Sequence, residues 1–297
     1  MSQETGFEPE PELVRSFDGT FLAVRSLGES DATPVLLVNA LGATFSLWRQ
    51  ALVDVIRERM VVTWDHRGLY DSGEPGSDRL DAGAHARDAL ETLDHYDIDR
   101  AFVLSWSSGT RIAMELAAHH PDRVCGFVSV CGGYGQSAGK FARGFELAAL
   151  LPAAAGLVRP FAPLVQPLLR TLVQRPELAG LVRQSGLIAA SADTGTLVDL
   201  VRSTAELDLG LLLATYQAVS GDPAPGLLAE ITGPALVIAG ERDPFTSRAV
   251  SEEMARTISG ATLEVYEKAT HYLPIEYPAR LSDDLRSFLG PSLPPSG

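Results

Sequence analysis

Cysteine is scarce in this chain of 297 residues, which contains only Cys125 and Cys131. Both fall in one predicted strand and its end. At ~3.3 Å per residue they are separated by roughly 20 Å, which is too far for a disulfide bond. Without a disulfide framework or paired His/Cys spacing, the sequence predicts neither a disulfide-rich secreted protein nor a structural zinc site.

The chain also lacks a long unbroken hydrophobic run. Its most apolar region, from Leu147 to Leu169, is interrupted by one arginine and several prolines, whereas a transmembrane helix needs ~20 apolar residues. The N-terminal segment is acidic and has no apolar core, which is not typical of a signal peptide. We therefore expect a soluble cytoplasmic protein with no membrane span.

Positive charge is in deficit, since the net charge is −14 and the pI is about 4.8. An acidic surface repels phosphate backbones, so nucleic acid is not an expected partner. The composition, with 45% hydrophobic and 21% charged residues, is that of an ordinary globular protein. The sequence gives no indication of the oligomeric state.

Short apolar segments alternate with segments of helical spacing. The predicted strands are Pro34–Val38, Val61–Trp64, Ala101–Leu104, Val124–Val130, Ala235–Ala239 and Thr262–Tyr266. The predicted helices are Trp48–Arg59, Gly83–Tyr96, Ser108–His119, Ser247–Ser259 and Pro278–Leu289. Strands of continuous apolar character that alternate with helices predict an α/β fold, in which helices flank a mostly parallel sheet.

One long segment departs from this alternation. From Ser137 to about Gly221 the sequence is rich in Leu and Ala, contains no strand-like run, and has helical spacing at Leu178–Ala190 and Thr196–Val219. We interpret residues 136–221 as a helical cap inserted into a core domain formed by residues 1–135 and 222–297. The alternative is that these helices simply extend the core.

The segment LSWSSGT indicates a sharp strand-to-helix turn that presents a serine. Such a turn holds the serine at positive φ and needs small residues two positions before and two after it. Only Ser107 meets this requirement here, with Ser105 and Gly109 as its flanks. A literal G-x-S-x-G surrounds Ser137, but it follows a loop and opens the inserted segment. We therefore predict Ser107 as the nucleophile and the segment around Ser137 as a lid junction.

A nucleophilic serine needs a base, and the base needs a group that orients it. His271 lies in the loop after the last predicted strand, and loops in this position reach the top face of the sheet. Asp243 follows the strand before it, with Glu241 as the near alternative. These positions predict His271 as the base and Asp243 as the acid.

The negative oxygen of a tetrahedral intermediate needs two backbone N–H donors. The residue after the nucleophile, Ser108, supplies one donor. The loop from Asn39 to Gly42 directly follows an early strand, and we predict the Leu41 amide as the second donor, with Ala40 as the alternative.

These motifs resemble those of the α/β-hydrolase fold superfamily, in particular capped serine hydrolases of the esterase and lactonase type. The resemblance spans nearly the full chain and includes the order Ser107, Asp243, His271. Its blocks are NALGATFSLW, DHRGLYDSGEP, SWSSGTRIAMELAAHHPDRV, GERDPF and ATHYLPIEYP. Asn39-Ala40 stands where the family usually has His-Gly, and it resembles the loop of enol-lactonase-like members. The block that begins at Asp65 is interpreted as structural.

The resemblance implies acyl chemistry without a metal or an organic cofactor. His271 would take the Ser107 proton, and Ser107 would attack a carbonyl to form an acyl-enzyme that water then hydrolyses. Because the fold hosts many reactions, other functions stay open. These are carbon–carbon bond hydrolysis, a lyase reaction, cofactor-free peroxidation, or a ligand receptor.

The predicted cap carries apolar side chains, including Phe145 and Phe161, which indicate an apolar pocket roof and a small hydrophobic substrate. Asn39, Ala40 and Trp106 are candidate pocket residues, although Trp106 is also expected to pack against neighbouring elements. Six arginines of the predicted cap either meet an anionic group or lie on solvated helix faces. They are Arg143, Arg159, Arg170, Arg175, Arg183 and Arg202.

Overall fold

A computed structural model of the chain describes residues 9–135, 147–221 and 224–290. Eight strands form one sheet in the order β1-β2-β4-β3-β5-β6-β7-β8. They are β1 (Glu12–Arg15), β2 (Phe21–Leu27), β3 (Val35–Val38), β4 (Val61–Trp64), β5 (Ala101–Trp106), β6 (Val124–Val130), β7 (Ala235–Gly240) and β8 (Ala261–Tyr266). Pairings that involve β2 are antiparallel, and the others are parallel.

Helices occupy both faces of the sheet. They are α1 (Val53–Glu58), α2 (Ala82–His95), α3 (Gly109–His119), α4 (Leu147–Val158), α5 (Ala162–Val173), α6 (Leu178–Gln184), α7 (Thr194–Glu206), α8 (Leu209–Ser220), α9 (Pro225–Glu230), α10 (Arg248–Thr257), α11 (Leu273–Glu276) and α12 (Pro278–Leu289). One apolar core joins the sheet to α2, α3, α9 and α10, and a second joins it to α1, α11 and α12. The predicted α/β class with a mostly parallel sheet is confirmed.

The six predicted strands match β3 to β8 within two residues at each end. The sequence predicts these strands because β3, β4 and β7 are buried along their whole length, and such burial requires a continuous apolar sequence. The antiparallel strands β1 and β2 were not predicted. β1 is a largely exposed edge strand, and β2 carries a buried arginine, Arg25, whose charge is paired with Asp65 at 3.0 Å.

Helix boundaries inside the inserted region differ from the prediction. The predicted helix Thr196–Val219 is two helices, α7 and α8, because the backbone becomes extended at Leu207 and the Asp208 side chain accepts the Leu211 amide to start a new helix. The predicted helix Leu178–Ala190 ends at Gln184, shortly before Gly186, which adopts a positive φ of 71°. Similarly, the predicted helix Trp48–Arg59 becomes α-helical only at Val53.

Between β6 and β7, the described residues 147–221 contain helices and no strand. In this inserted segment α4 packs against α8, and α5 packs against α7. The predicted lid junction around Ser137, together with Phe145 and Arg143, lies outside the described residues. The predicted cap boundaries at residues 136 and 221 therefore stay a prediction.

Across the described ranges, no helix combines the length and the apolar character that a bilayer span requires.

The block after β4 forms a buried ionic network. The Arg67 guanidinium is fully buried and donates to both carboxylate oxygens of Asp88, at 2.8 and 2.7 Å, and to Asp18 at 2.8 Å. His66 lies beside it, with Nε2 at 2.9 Å from the Asn39 carbonyl oxygen. These bonds tie the β4 loop to α2 and to the first hairpin, as expected of a structural block.

Two histidines of this region are buried in their neutral form. Burial lowers the pKa of His66 to about 4. Burial, with the neighbouring His66 and Arg67, also lowers the pKa of His85 well below its ordinary value. Among the described residues, neither ring nitrogen of His85 has a hydrogen-bond partner.

These histidines predict a loss of stability in mild acid. An unfolded chain protonates a histidine near pH 6.5 whereas the folded protein does not, so the free energy of unfolding falls as the pH drops below 6.5. For His66 the loss continues to about pH 4 and corresponds to ~3 kcal/mol in total. Urea denaturation should give a lower free energy of unfolding at pH 5.0 than at pH 7.0. In His85→Phe this decrease should be smaller. His120→Gln is the control. If the free energy of unfolding of His85→Phe depended on pH as strongly as that of this control, His85 would not be the buried neutral histidine described here.

Candidate active site

Ser107 sits in a turn that joins β5 to α3 almost without a loop. Its φ is +53°, a left-handed conformation that non-glycine residues adopt at a cost. The Ser107 amide donates to the Val130 carbonyl oxygen at 3.1 Å, which anchors the turn to β6. A Cβ atom added to Gly109 would lie 2.4 Å from the carbonyl oxygens of Val38 and Asn39, so only glycine fits there.

Ser105 occupies the place of the motif's first glycine and is fully buried. Its hydroxyl donates to the Val128 carbonyl oxygen at 2.8 Å and lies 3.1 Å from the Thr110 hydroxyl. The serine is therefore bonded to β6 and to α3, and the turn accommodates its side chain through these contacts.

Ser107, His271 and Asp243 form one hydrogen-bonded chain. The Ser107 hydroxyl oxygen lies 2.7 Å from His271 Nε2, and His271 Nδ1 lies 2.8 Å from Asp243 Oδ2. The other Asp243 oxygen accepts the amides of Phe245 and Thr246, at 2.8 and 3.0 Å. With Nδ1 donating to Asp243, Nε2 is free to accept the serine proton.

Glu241, the alternative acid, lies elsewhere. Its side chain is exposed, and Oε2 accepts the Lys268 amide at 2.7 Å. The structure therefore brings Asp243 rather than Glu241 to the imidazole.

The loop that carries His271 is held by two buried side chains. Trp106 Nε1 donates to the His271 carbonyl oxygen at 3.0 Å. Glu276 accepts the Thr270 amide at 2.7 Å and the Ala189 amide of the inserted segment at 3.0 Å, and it also accepts the Thr270 hydroxyl. Sequence reasoning missed Glu276, and the one available signal was a carboxylate within an otherwise apolar segment five residues after His271.

The residues that carry the two predicted oxyanion donors, Ser108 and Leu41, lie next to each other in the structure. The Leu41 amide points toward the start of α3 and donates to the Ser108 hydroxyl oxygen at 3.0 Å. Gly42 follows at a positive φ of 76°, which turns the loop so that Leu41 faces the site. Ser108 and Leu41 both line the cavity above Ser107.

A cavity of about 400 Å³ opens over Ser107 and His271. Its apolar wall comes from the inserted segment and from the loops after β5, β7 and β8. The wall residues include Leu169, Leu197, Leu200, Val201, Tyr216, Phe245, Tyr272 and Trp106. Trp106 therefore both walls the cavity and packs on the histidine loop, with its ring 5.6 Å from that of His271.

Ala40 lines the cavity as predicted, but Asn39 is not part of the described lining. The Asn39 side chain is buried and turns back into the core, where Oδ1 accepts the Trp48 indole N–H at 3.1 Å. The structure therefore does not bring the Asn39 side chain to the described cavity lining, because the hydrogen bond to Trp48 holds it in the core.

None of the arginines of the predicted cap that the structure describes lines the cavity. Arg170, Arg183 and Arg202 donate to neighbouring inserted helices, at Ala205, Thr194 and Val173 respectively. The arginine that does line the cavity is Arg111 of α3, which sequence reasoning missed because it lies within an apparently ordinary helix.

Cys131 lies close to the imidazole but remains a neutral thiol. Its sulfur, an Asp243 oxygen and a His271 nitrogen all lie within 4.8 Å of one another. Burial and the charge of Asp243 raise the pKa of Cys131 well above its ordinary value. The thiolate is the form that attacks carbonyls and binds metals, so this environment disfavours both roles. Cys125 and Cys131 are both free.

Comparison with known proteins agrees with this architecture. A family model for the alpha/beta hydrolase fold matches residues 33–278. The 3-oxoadipate enol-lactonase 2 of Acinetobacter baylyi is 28% identical over 256 residues, which cover 85% of this chain and 87% of that protein. The magnesium-chelatase 30 kDa subunit of Rhodobacter capsulatus is 27% identical over 241 residues, which cover 80% of each chain.

A solved structure has the same fold. The enol-lactonase from Burkholderia xenovorans superposes with a TM-score of 0.73 at 22% identity, covering 94% of this chain and 99% of that one. The chain therefore belongs to the α/β-hydrolase fold family of enzymes. The resemblance and the fold that the sequence motifs indicated are confirmed.

The hydrogen bonds of Ser105 predict the effect of restoring the usual glycine. Ser105→Gly should lower the free energy of unfolding by about 1–2 kcal/mol, because a buried hydrogen bond is lost and glycine weakens a strand. Urea denaturation at neutral pH measures this change. A more stable Ser105→Gly protein would show instead that the serine strains the turn.

Proposed function

We propose that the protein is a serine hydrolase that cleaves a carboxylic ester, lactone or thioester of a small hydrophobic molecule. The hydrogen-bonded chain Asp243–His271–Ser107 at the floor of an apolar cavity carries this proposal. The enol-lactonase names of two similar proteins support it. In this proposal Ser107 is the nucleophile, His271 the base and Asp243 the orienting acid.

The reaction proceeds in two halves. His271 Nε2 takes the Ser107 proton as Ser107 Oγ attacks the substrate carbonyl, and the imidazolium then returns the proton to the leaving oxygen or sulfur. Water, activated by the same imidazole, next attacks the acyl-enzyme and releases the acid. Asp243 keeps the imidazole in the required tautomer because its Oδ2 accepts the proton on His271 Nδ1. Two backbone amides bind the other carboxylate oxygen and so orient the group.

The Ser108 and Leu41 amides stabilise the tetrahedral oxyanion in this scheme. In the structure the Ser108 hydroxyl oxygen accepts a hydrogen bond from the Leu41 amide at 3.0 Å. An incoming oxyanion therefore competes with this hydroxyl, which must turn aside or donate to the oxyanion itself.

We further propose that residues 136–221 form a cap over the active site. The described part of this segment supplies the apolar wall of the cavity. Thr204 of α7 donates to the Gly42 carbonyl oxygen at 2.8 Å, which fastens the segment to the loop that carries Leu41. Because this wall is hydrocarbon, the cap favours substrates with a hydrophobic portion.

A panel of p-nitrophenyl esters of increasing chain length tests the proposal. Ser107→Ala should lower kcat by about 10⁴-fold or more, since the nucleophile and base act as a unit. Asp243→Asn should cost about 10⁴-fold, because the amide favours the wrong imidazole tautomer.

Ser137→Ala is the matched control and should retain full turnover. Undiminished turnover in Ser107→Ala would contradict the mechanism, as would loss of turnover in Ser137→Ala. A wild-type protein that binds the esters without cleaving any of them would indicate a ligand receptor instead.

A further inference from the structure

Arg111 is the only permanently charged side chain among the described residues that line the cavity. It stands on the first turn of α3, four residues after Ser107, and only 8% of its surface is exposed. Arginine is rarely buried in an apolar cavity unless its charge is matched by an anion.

Glu115 pairs with the charge of Arg111 but does not use all of its hydrogen-bond donors. Arg111 Nη1 lies 2.7 Å from Glu115 Oε1, in an orientation that makes no aligned hydrogen bond. The other Glu115 carboxylate oxygen lies 3.0 Å from His119 Nδ1, which also lies 3.1 Å from the Glu115 carbonyl oxygen. The buried Arg111 Nε has no hydrogen-bond partner among the described residues. Because Nε and Nη1 are both buried within the protein, Nη2 is the donor of Arg111 that is left to meet an anion in the cavity. A guanidinium N–H binds a carboxylate through a charge-assisted hydrogen bond.

We propose that Arg111 binds a carboxylate of the substrate, so that the natural substrate is an ester or lactone carrying a free carboxylate a few bonds from the scissile carbonyl. This rests on the proposed hydrolase function. Ser107 and Arg111 line the same cavity, and Arg111 lies on the first turn of the helix that begins two residues after Ser107, so Arg111 can hold a carboxylate inside the cavity while Ser107 reaches the carbonyl. A cavity of about 400 Å³ suits such a small bifunctional acid.

Charge adds a second reason for a buried cation. The chain carries a net charge of −14, so an anionic substrate is disfavoured at long range. Inside the cavity the dielectric is lower and the attraction of a fixed guanidinium is stronger than at the surface. Arg111 therefore makes the site selective for an anion that the rest of the protein repels.

Matched pairs of substrates test this inference. p-Nitrophenyl hydrogen glutarate carries a carboxylate on the acyl side, and p-nitrophenyl pentanoate is its neutral counterpart. 4-Acetoxybutanoate carries the carboxylate on the alcohol side, and pentyl acetate is its neutral counterpart. We expect the wild-type protein to prefer one of the two anionic substrates by about tenfold or more in kcat/KM.

Arg111→Gln should remove that preference. Its kcat/KM for the favoured anionic substrate should fall by about 10- to 100-fold, the effect of one charge-assisted hydrogen bond. The loss should exceed that for the neutral counterpart and should appear mainly in KM. Arg111→Lys should restore part of the preference, because it keeps the charge but not the fork.

Glu115→Gln is the control for a purely structural role of the ion pair. It leaves Arg111 charged, so the preference for the anion should persist or increase while hydrolysis of the neutral esters is unchanged. Loss of the preference in Glu115→Gln as in Arg111→Gln would overturn the inference.

A wild-type protein that cleaves the neutral esters but prefers neither anionic substrate would also overturn it, and would leave the hydrolase proposal intact. A wild-type protein that cleaves no ester would overturn the hydrolase proposal, and this inference with it.

Discussion

The left-handed backbone at Ser107 is the constraint on which the rest of the site depends. The turn joins β5 to α3 almost without a loop, and this close approach requires a glycine at position 109, which lies against the carbonyl oxygens of Val38 and Asn39. Two hydrogen bonds to β6 hold the strained residue in place. The Ser107 amide donates to the Val130 carbonyl oxygen, and the buried Ser105 hydroxyl donates to the Val128 carbonyl oxygen. Ser107 therefore stands above the sheet on rigid elements, which is what an efficient nucleophile requires.

The remaining parts of the site reach Ser107 from distant points of the chain. Parallel strands end at one edge of the sheet, so the loops after β3, β7 and β8 meet there. Their positions are then fixed by side chains that do no chemistry in the proposed mechanism. Glu276 joins the histidine loop to the inserted helices, and Trp106 joins it to β5. The same indole also lines the cavity.

The sequence allowed prediction of what is set locally. Buried parallel strands appear as continuous apolar runs, and the small flanks of Ser107 identify the turn by steric requirement. The residues of the hydrogen-bonded chain followed from their places after strands. Arg111, Glu276 and the orientation of Asn39 could not be predicted, because each depends on which neighbours the folded chain brings together. In the sequence Arg111 looks like an ordinary helical residue, because the cavity that it lines forms only when the inserted helices pack over the core.

In the proposed mechanism Ser107, and no other serine, is activated by the pair His271 and Asp243. The most direct measurement is to treat the protein with a fluorophosphonate, which traps an activated serine, and to map the labelled peptide by mass spectrometry. We expect a single adduct on Ser107 that persists in Ser137→Ala and is lost in His271→Ala. An adduct on Ser137, or no adduct at all on the folded wild-type protein, would contradict it.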